Sequence, residues 1–365
     1  MSRRTIQPPS TASVLQELLT RNLEVHGIDF RLNAERNLAN AYSKLGRLDE
    51  AIELAVSVVD SKSDRLGAED LSTLNAKMSL AGLYLKSGDQ LAAVDLLEDV
   101  VDARKRVLGI GNTSTMQALT GLAVAYDEVG KPRKAIEMNE LAYEHLKEKL
   151  GAEDARTMNA LNNLATVYES AREFELAENS YEQVLRSRIK VLGEENLQTQ
   201  SSIRGLNTVY LRSKQFDFAK KNAEQWIEIL EKGGDTGSRN LARGYTCLAV
   251  SLSELGEFET AIESCEKAKQ MPLISNIDSA RCDSVTGLCL SHLGEIQLAE
   301  KLLVESFKKM EDQIEKIPFY FRWYVPVAGE RIIHFHQANK NDSKVVAWRN
   351  RVKGVQARID KLRVK

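Results

Sequence analysis

The sequence predicts an all-α fold, a solenoid of antiparallel helix pairs, on three observations. First, residues recur at a fixed interval of 42: Gly46, Gly88, Gly130, Arg172, Lys214 and Gly256 form one column, and Ala51, Ala93, Ala135, Ala177, Ala219 and Ala261 another. Tyr42, Tyr84, Tyr126, Tyr168 and Tyr210 keep the same step, as do the dipeptides Leu66-Gly67, Leu108-Gly109, Leu150-Gly151 and Leu192-Gly193. Second, small and apolar residues lie at helical spacing on both sides of the glycine column, most clearly in ALNNLATVYESAREFELAENSYEQVLRSRIKVLG at 160–193. Third, the 365 residues include only six prolines, with none between Pro132 and Pro272, so nothing interrupts helix there. A fixed period of this size marks stacked supersecondary units.

The opening MSRRTIQPPS, residues 1–10, is polar and reads as a disordered tail. Residues 11–25, TASVLQELLTRNLEV, have the pattern of the second helix of an incomplete unit. Helix pairs then follow near 31–44 and 47–65, 73–86 and 89–107, 115–128 and 131–149, 157–170 and 173–191, and 199–212 and 215–232. In each pair, small residues such as Ala39 and Ala51 stand where the helices cross, and the tyrosine fills the space beside them. Gly46 and its successors stop the first helix, because glycine takes a left-handed C-cap without steric cost. Arg172 and Lys214 in that column imply a strained or differently capped turn.

A pair at 239–254 and 257–270 keeps the register, which then slips: Gly294 follows Gly256 by 38 residues, giving a pair near 278–292 and 295–315. The array is thus expected to span 11–315 with about seven pairs, closed by a degenerate capping pair with a basic end at 316–365. The aromatic run around Trp323 and Trp348 is expected to cover the apolar end of the stack.

Small-x-x-Tyr-x-x-x-Gly-x-x-x-x-Ala resembles the tetratricopeptide pattern in at least six units. The usual period is about 34 residues. The extra length here amounts to about two helical turns, and with the Leu-Gly endings and Thr73, Thr115, Thr157 and Thr199 ahead of each first helix it resembles the kinesin light chain subclass. LNNLA at 161–165 carries that likeness most strongly. The His-Pro of that subclass is replaced by Asp70-Leu71, Asp154-Ala155 and Asn196-Leu197, which makes the chain a relative rather than a kinesin light chain. The closing segment, with Val346-Ala347-Trp348-Arg349, resembles tetratricopeptide tails of bacterial serine/threonine protein kinases; kinase motifs themselves are absent from the sequence.

The resemblance implies a right-handed superhelix whose first helices line a concave groove. Carried over residue by residue, the groove positions are Asn33, Arg36, Asn40, Lys44, Asn75, Gln117, Asn159, Asn162, Arg204, Arg212, Arg243 and Arg281. Met78, Lys86, Thr120, Val124, Asp127, Thr166, Glu169, Ser201, Thr208, Thr246 and Ser284 accompany them. A ladder of asparagines can both donate to and accept from an extended peptide backbone, and the arginines can pair with carboxylates. The expected partner is therefore a protein or peptide with some acidic character. The carboxylate clamp used on chaperone tails is incomplete: Arg36 and Asn40 fit, whereas Ser79, Gln117 and Gly121 do not.

Composition limits the other classes. A chain that is 43% hydrophobic and 28% charged suits a folded soluble protein, and no apolar run reaches the roughly 20 residues of a membrane span. Cys247, Cys265, Cys282 and Cys289 fall on repeat positions, as reduced thiols in a cytoplasmic protein would. His26, His145, His292, His334 and His336 form no ligand pattern, Gly109-Ile110-Gly111 follows no strand, and no nucleophile has a base beside it. The chain is thus not expected to be an enzyme, and neither cofactor, metal nor small-molecule substrate is expected. Nine Lys/Arg against Asp342 and Asp360 give residues 340–365 a net charge of +7, but apolar residues at helical spacing make this the wet face of a closing helix. Nucleic acid and membrane surfaces are accordingly not the expected partners. The readings carried forward are a non-catalytic binding scaffold and, as its rival, the interaction tail of a signalling kinase; self-association through an exposed end stays open.

Overall fold

A computed structural model describes residues 28–362, apart from 236, 316 and 318–320, with the side chains of 28–30 also outside the description. The expected tail at 1–10 and half-unit at 11–25 lie outside the described residues. Within the described chain every regular element is a helix. The structure divides into two compact units, one ending at His145 and one beginning at Leu146.

The first unit holds α1 (Ile28–Lys44) and α2 (Leu48–Leu66), α3 (Leu71–Ser87) and α4 (Gln90–Leu108), and α5 (Thr113–Glu128). Helix α6 (Pro132–Leu150) carries the division. The second unit holds α7 (Ala155–Ser170) and α8 (Phe174–Leu192), α9 (Leu197–Arg212) and α10 (Phe216–Lys232), α11 (Arg239–Glu254) and α12 (Phe258–Gln270), α13 (Asn276–His292) and α14 (Ile296–Asp312), and α15 (Tyr324–Ala338) and α16 (Asp342–Leu362).

The repeat columns explain how each pair closes. All six alanines from Ala51 to Ala261 are 0% exposed, so the second helix presses its backbone against the first with no room for a larger side chain. In the facing column, Ala81, Ala123, Ala165 and Ala249 are also fully buried. Asn207 replaces alanine there, and its Nδ2 donates to the carbonyl of Ala219 at 2.8 Å. Gly46, Gly88, Gly130, Gly256 and Gly294 hold left-handed φ, and Arg172 and Lys214 adopt the same conformation at φ 66° and 61°. The two side chains thus keep the turn at the cost of strain rather than capping it differently. The Leu-Gly endings have a different cause. Gly193 sits at φ 84°, ψ 165°, a region open essentially to glycine alone, and Gly67 and Gly109 match it.

The start of each first helix corrects the sequence reading. Thr73, Thr115, Thr157 and Thr199 do not precede their helices; they lie inside the first turn and are buried. The caps are Asp70, Asn112, Asp154 and Asn196, whose side chains accept from the backbone N–H two residues on at 2.8–2.9 Å. Asp154 therefore ends the loop as a cap. Thr115 and Thr199 reach back instead, donating to the carbonyls of Gly109 and Gly193 at 2.9 and 2.8 Å.

At the far end, Val345, Val352, Val355 and Ile359 of α16 are buried against Phe307 and Ile332. Trp348 joins them, edge-on to Phe307 with ring centres 5.3 Å apart. Its basic face is paired outward: Arg351 with Glu311, Lys344 with Glu300, and Arg358 with Glu315.

Candidate functional site

In the second unit the first helices α7, α9, α11, α13 and α15 touch one another in succession, as α3 and α5 do in the first unit. The closer spacing of these helices makes them the inner wall of each stack. The residues expected to line it meet different fates.

On the first unit's wall, Asn33, Arg36, Asn40 and Lys44 of α1 are exposed, as are Asn75 of α3 and Gln117 of α5. Arg36, Asn40, Ser79 and Leu83 edge a notch of about 20 Å³ between α1 and α3. Asn75 is only half available, because its Oδ1 accepts from Arg104, a buried residue of α4 that also donates to the Ser114 carbonyl. Asp127, Thr246 and Ser284, expected at a groove surface, are buried instead.

The second unit repeats the Arg104 arrangement 84 residues later. Arg188 of α8 is 3% exposed; its Nη2 donates to Asn159 Oδ1, and its Nη1 donates to Asn162 Oδ1 and the Gln198 carbonyl, all at 2.8 Å, and to Ser202 Oγ at 2.7 Å. Burial pushes its pKa down to about 10. Asn75, Asn159 and Asn162 are thus not free both to donate and to accept, as the sequence suggested. Their carbonyl oxygens accept from buried arginines, which leaves the Nδ2 groups as the remaining donors.

Beside that staple lies a pocket of about 220 Å³ lined by Asn162, Thr166, Glu169, Tyr181, Arg204 and Thr208, with Phe321 at its edge. Tyr181 comes from α8 and reaches the inner face because Gly205 of α9 makes room; a Cβ there would lie 2.4 Å from the tyrosine ring. Its hydroxyl lies 2.8 Å from Thr166 Oγ1, and burial holds the phenol well above its ordinary range, so it stays protonated. Tyr181, Gly205 and Arg188 were not among the residues expected from the sequence. A glycine in a helix interior and an arginine on an otherwise apolar face were the available signals.

The four arginines are placed together on this wall but are not equally free. Arg212 pairs with the buried Glu169 and donates to its backbone carbonyl at 2.9 Å. Arg243 and Arg281 share Asp278, at 3.4 and 3.3 Å. Arg281 is 5% exposed. Arg204 bonds Ser201 Oγ at 3.3 Å.

The tetratricopeptide repeat model matches residues 30–106, 72–148 and 154–232, more than half the chain. The chain belongs to the tetratricopeptide repeat family. Among solved tetratricopeptide structures it is similar to a single-residue variant of a putative kinesin light chain with nearly identical repeats from Podosopora anserina. That match has 28% identity and a TM-score of 0.50, covering 56% of this chain and 97% of that one. BtubC (BKLC) from P. vanneervenii is 24% identical, covering 61% of this chain and 90% of its own, with a TM-score of 0.54. A Rap protein complexed with competence and sporulation factor shares the fold over 96% of this chain and 93% of its own, at 12% identity and a TM-score of 0.61. No curated protein matches the sequence. The kinesin light chain-like character of the repeats is thus met again in solved structures, while the likeness of the closing segment to kinase tails rests on its sequence alone.

Among the described residues no cluster of three or more His, Cys, Asp or Glu is placed to hold a metal ion. No helix among them is long and apolar enough to cross a membrane. Cys247, Cys265, Cys282 and Cys289 are free and buried.

Proposed function

We propose that the protein is a non-catalytic scaffold that binds a protein or peptide along the inner wall of its helix stack. The observation that carries this reading is the pocket formed by Asn162, Thr166, Glu169, Arg204 and Thr208. It presents fixed donors and acceptors on helices that their own packing already holds, so binding costs little ordering of the wall. The exposed Asn33, Arg36, Asn40 and Lys44 offer a second polar stretch on the first unit's wall, and its basic residues fit a ligand with acidic character. The Rap protein solved with competence and sporulation factor, which shares this fold, supports a binding role. A cytoplasmic setting suits four unbridged thiols. The rival role, as a kinase's interaction tail, requires catalytic motifs in the same reading frame.

Panning a displayed library of random peptides against the protein tests the proposal. Peptides that bind the wild type should bind the Asn162→Ala/Arg204→Ala variant at least about tenfold more weakly, a difference of about 1.4 kcal/mol. Equal affinity for both proteins, with the variant's circular dichroism unchanged, would remove the inner wall as the site.

A further inference from the structure

The aromatic residues around the start of α15 do something the cap expectation did not foresee. Trp348 belongs to the closing core, but Phe321, Trp323 and Tyr324 turn onto the inner wall of the second unit and lie over its arginines. The Phe321 ring centre is 5.9 Å from the Arg204 guanidinium carbon and 5.4 Å from that of Arg243. Trp323 lies 5.8 Å from Arg212, and Tyr324 lies 3.5 Å from Arg281. Arg322, between Phe321 and Trp323, donates from its Nε to the Ile317 carbonyl at 2.9 Å.

A guanidinium has a charged edge and a flat face, and the two can be used separately. On this wall Glu169 takes the edge of Arg212, and Asp278 takes those of Arg243 and Arg281. Two carboxylates thus engage the edges of three guanidinium groups before any ligand arrives, and the flat faces are what these arginines offer to rings. Aromatic rings, which present a negative π-face to a cation, are the side chains that fit there. The chain's own rings already occupy that surface, and Phe321 borders the pocket assigned to the ligand.

We infer that this part of the wall binds aromatic side chains, and that Phe321 and Trp323 are a built-in occupant which an aromatic peptide must displace. The inference rests on the inner-wall reading above and names the ligand class for it. An occupant that holds the site for nine-tenths of the time weakens the apparent affinity of a competitor about tenfold.

The probe is a fluorescein-labelled peptide copying residues 321–327, FRWYVPV, with binding followed by anisotropy. It should bind the Phe321→Ser/Trp323→Ser variant about tenfold more tightly than the wild type. Adding Arg204→Gln to that variant should abolish the gain. Both replaced side chains are half-exposed, and Phe321→Leu, which keeps apolar bulk but removes the ring, gives a second measure: it should also raise the affinity. Equal binding of the peptide to wild type and variants, or no binding to the emptied forms, overturns the inference. Panned peptides that still need Asn162 and Arg204 in that event would leave the inner-wall reading standing, so the two failures can be told apart.

Discussion

Replacing Arg188 by methionine tests whether the buried guanidinium holds the second unit's wall in place. Its side chain makes four hydrogen-bond contacts, to Asn159, Asn162, the Gln198 carbonyl and Ser202. Nη1 has two hydrogens for three of these acceptors, so the contacts amount to three full hydrogen bonds; at about 1.5 kcal/mol each, the low end for a charged donor, they contribute about 4.5 kcal/mol. Against this stands the cost of burial, which moves the pKa from 12.5 to about 10. At about 1.4 kcal/mol per pKa unit, that cost is on the order of 3 kcal/mol. The balance predicts a loss of about 1.5 kcal/mol for Arg188→Met, since methionine retains the apolar stem but none of the donors. Arg188→Lys, with a charge but no fork, should fall between. Urea unfolding gives the stability, and hydrogen exchange should show lost protection concentrated in α7 and α9. A loss below about 0.5 kcal/mol, or a loss of protection spread evenly over the second unit, would refute the reasoning.

Three further outcomes follow from the backbone, the core and one histidine. Gly193→Ala should destabilise by about 1–3 kcal/mol because of its backbone angles alone, since a Cβ there meets nothing within 4 Å; the helical Gly354→Ala, equally unobstructed, should stabilise by about 0.5–1 kcal/mol. Gly329→Ala should cost about 1–3 kcal/mol through overpacking, because the new methyl would lie 2.3 Å from Val352 Cγ2, and Val352→Ala in the same chain should recover part of the loss in a thermal melt. His336 is 2% exposed, and burial lowers its pKa from its ordinary 6.5. The unfolded chain therefore binds the proton more readily below that value, so stability contributed by the neutral ring is present above about pH 6.5 and lost on acidification. The melting temperature of His336→Phe should fall less than that of the wild type between pH 7 and 5.5.

Much of this fold was legible because a backbone conformation constrains residue type. Left-handed turns call for glycine and close helix crossings call for alanine, and both recur wherever the geometry recurs. Even Arg172 and Lys214, which break the column, keep its φ. The start of the first helices was misplaced because Thr and Asp both serve as caps, and the period does not say which one faces the open N–H groups. What a period cannot show is which side chains meet across repeats. Arg188 reaches Asn159, 29 positions earlier, and so changes that asparagine from a two-way hydrogen-bonding group into a donor. Phe321 and Trp323 lie beyond the last regular unit, where no column constrains them. Between them Arg322 donates to the Ile317 carbonyl.

Hydrogen exchange of the full chain with and without a panned peptide tests the central claim most directly. Protection gained in α7 and α9, with α8 and α10 unchanged, is the predicted result. Protection confined to α8 and α10, on the opposite side of the same pairs, would contradict it.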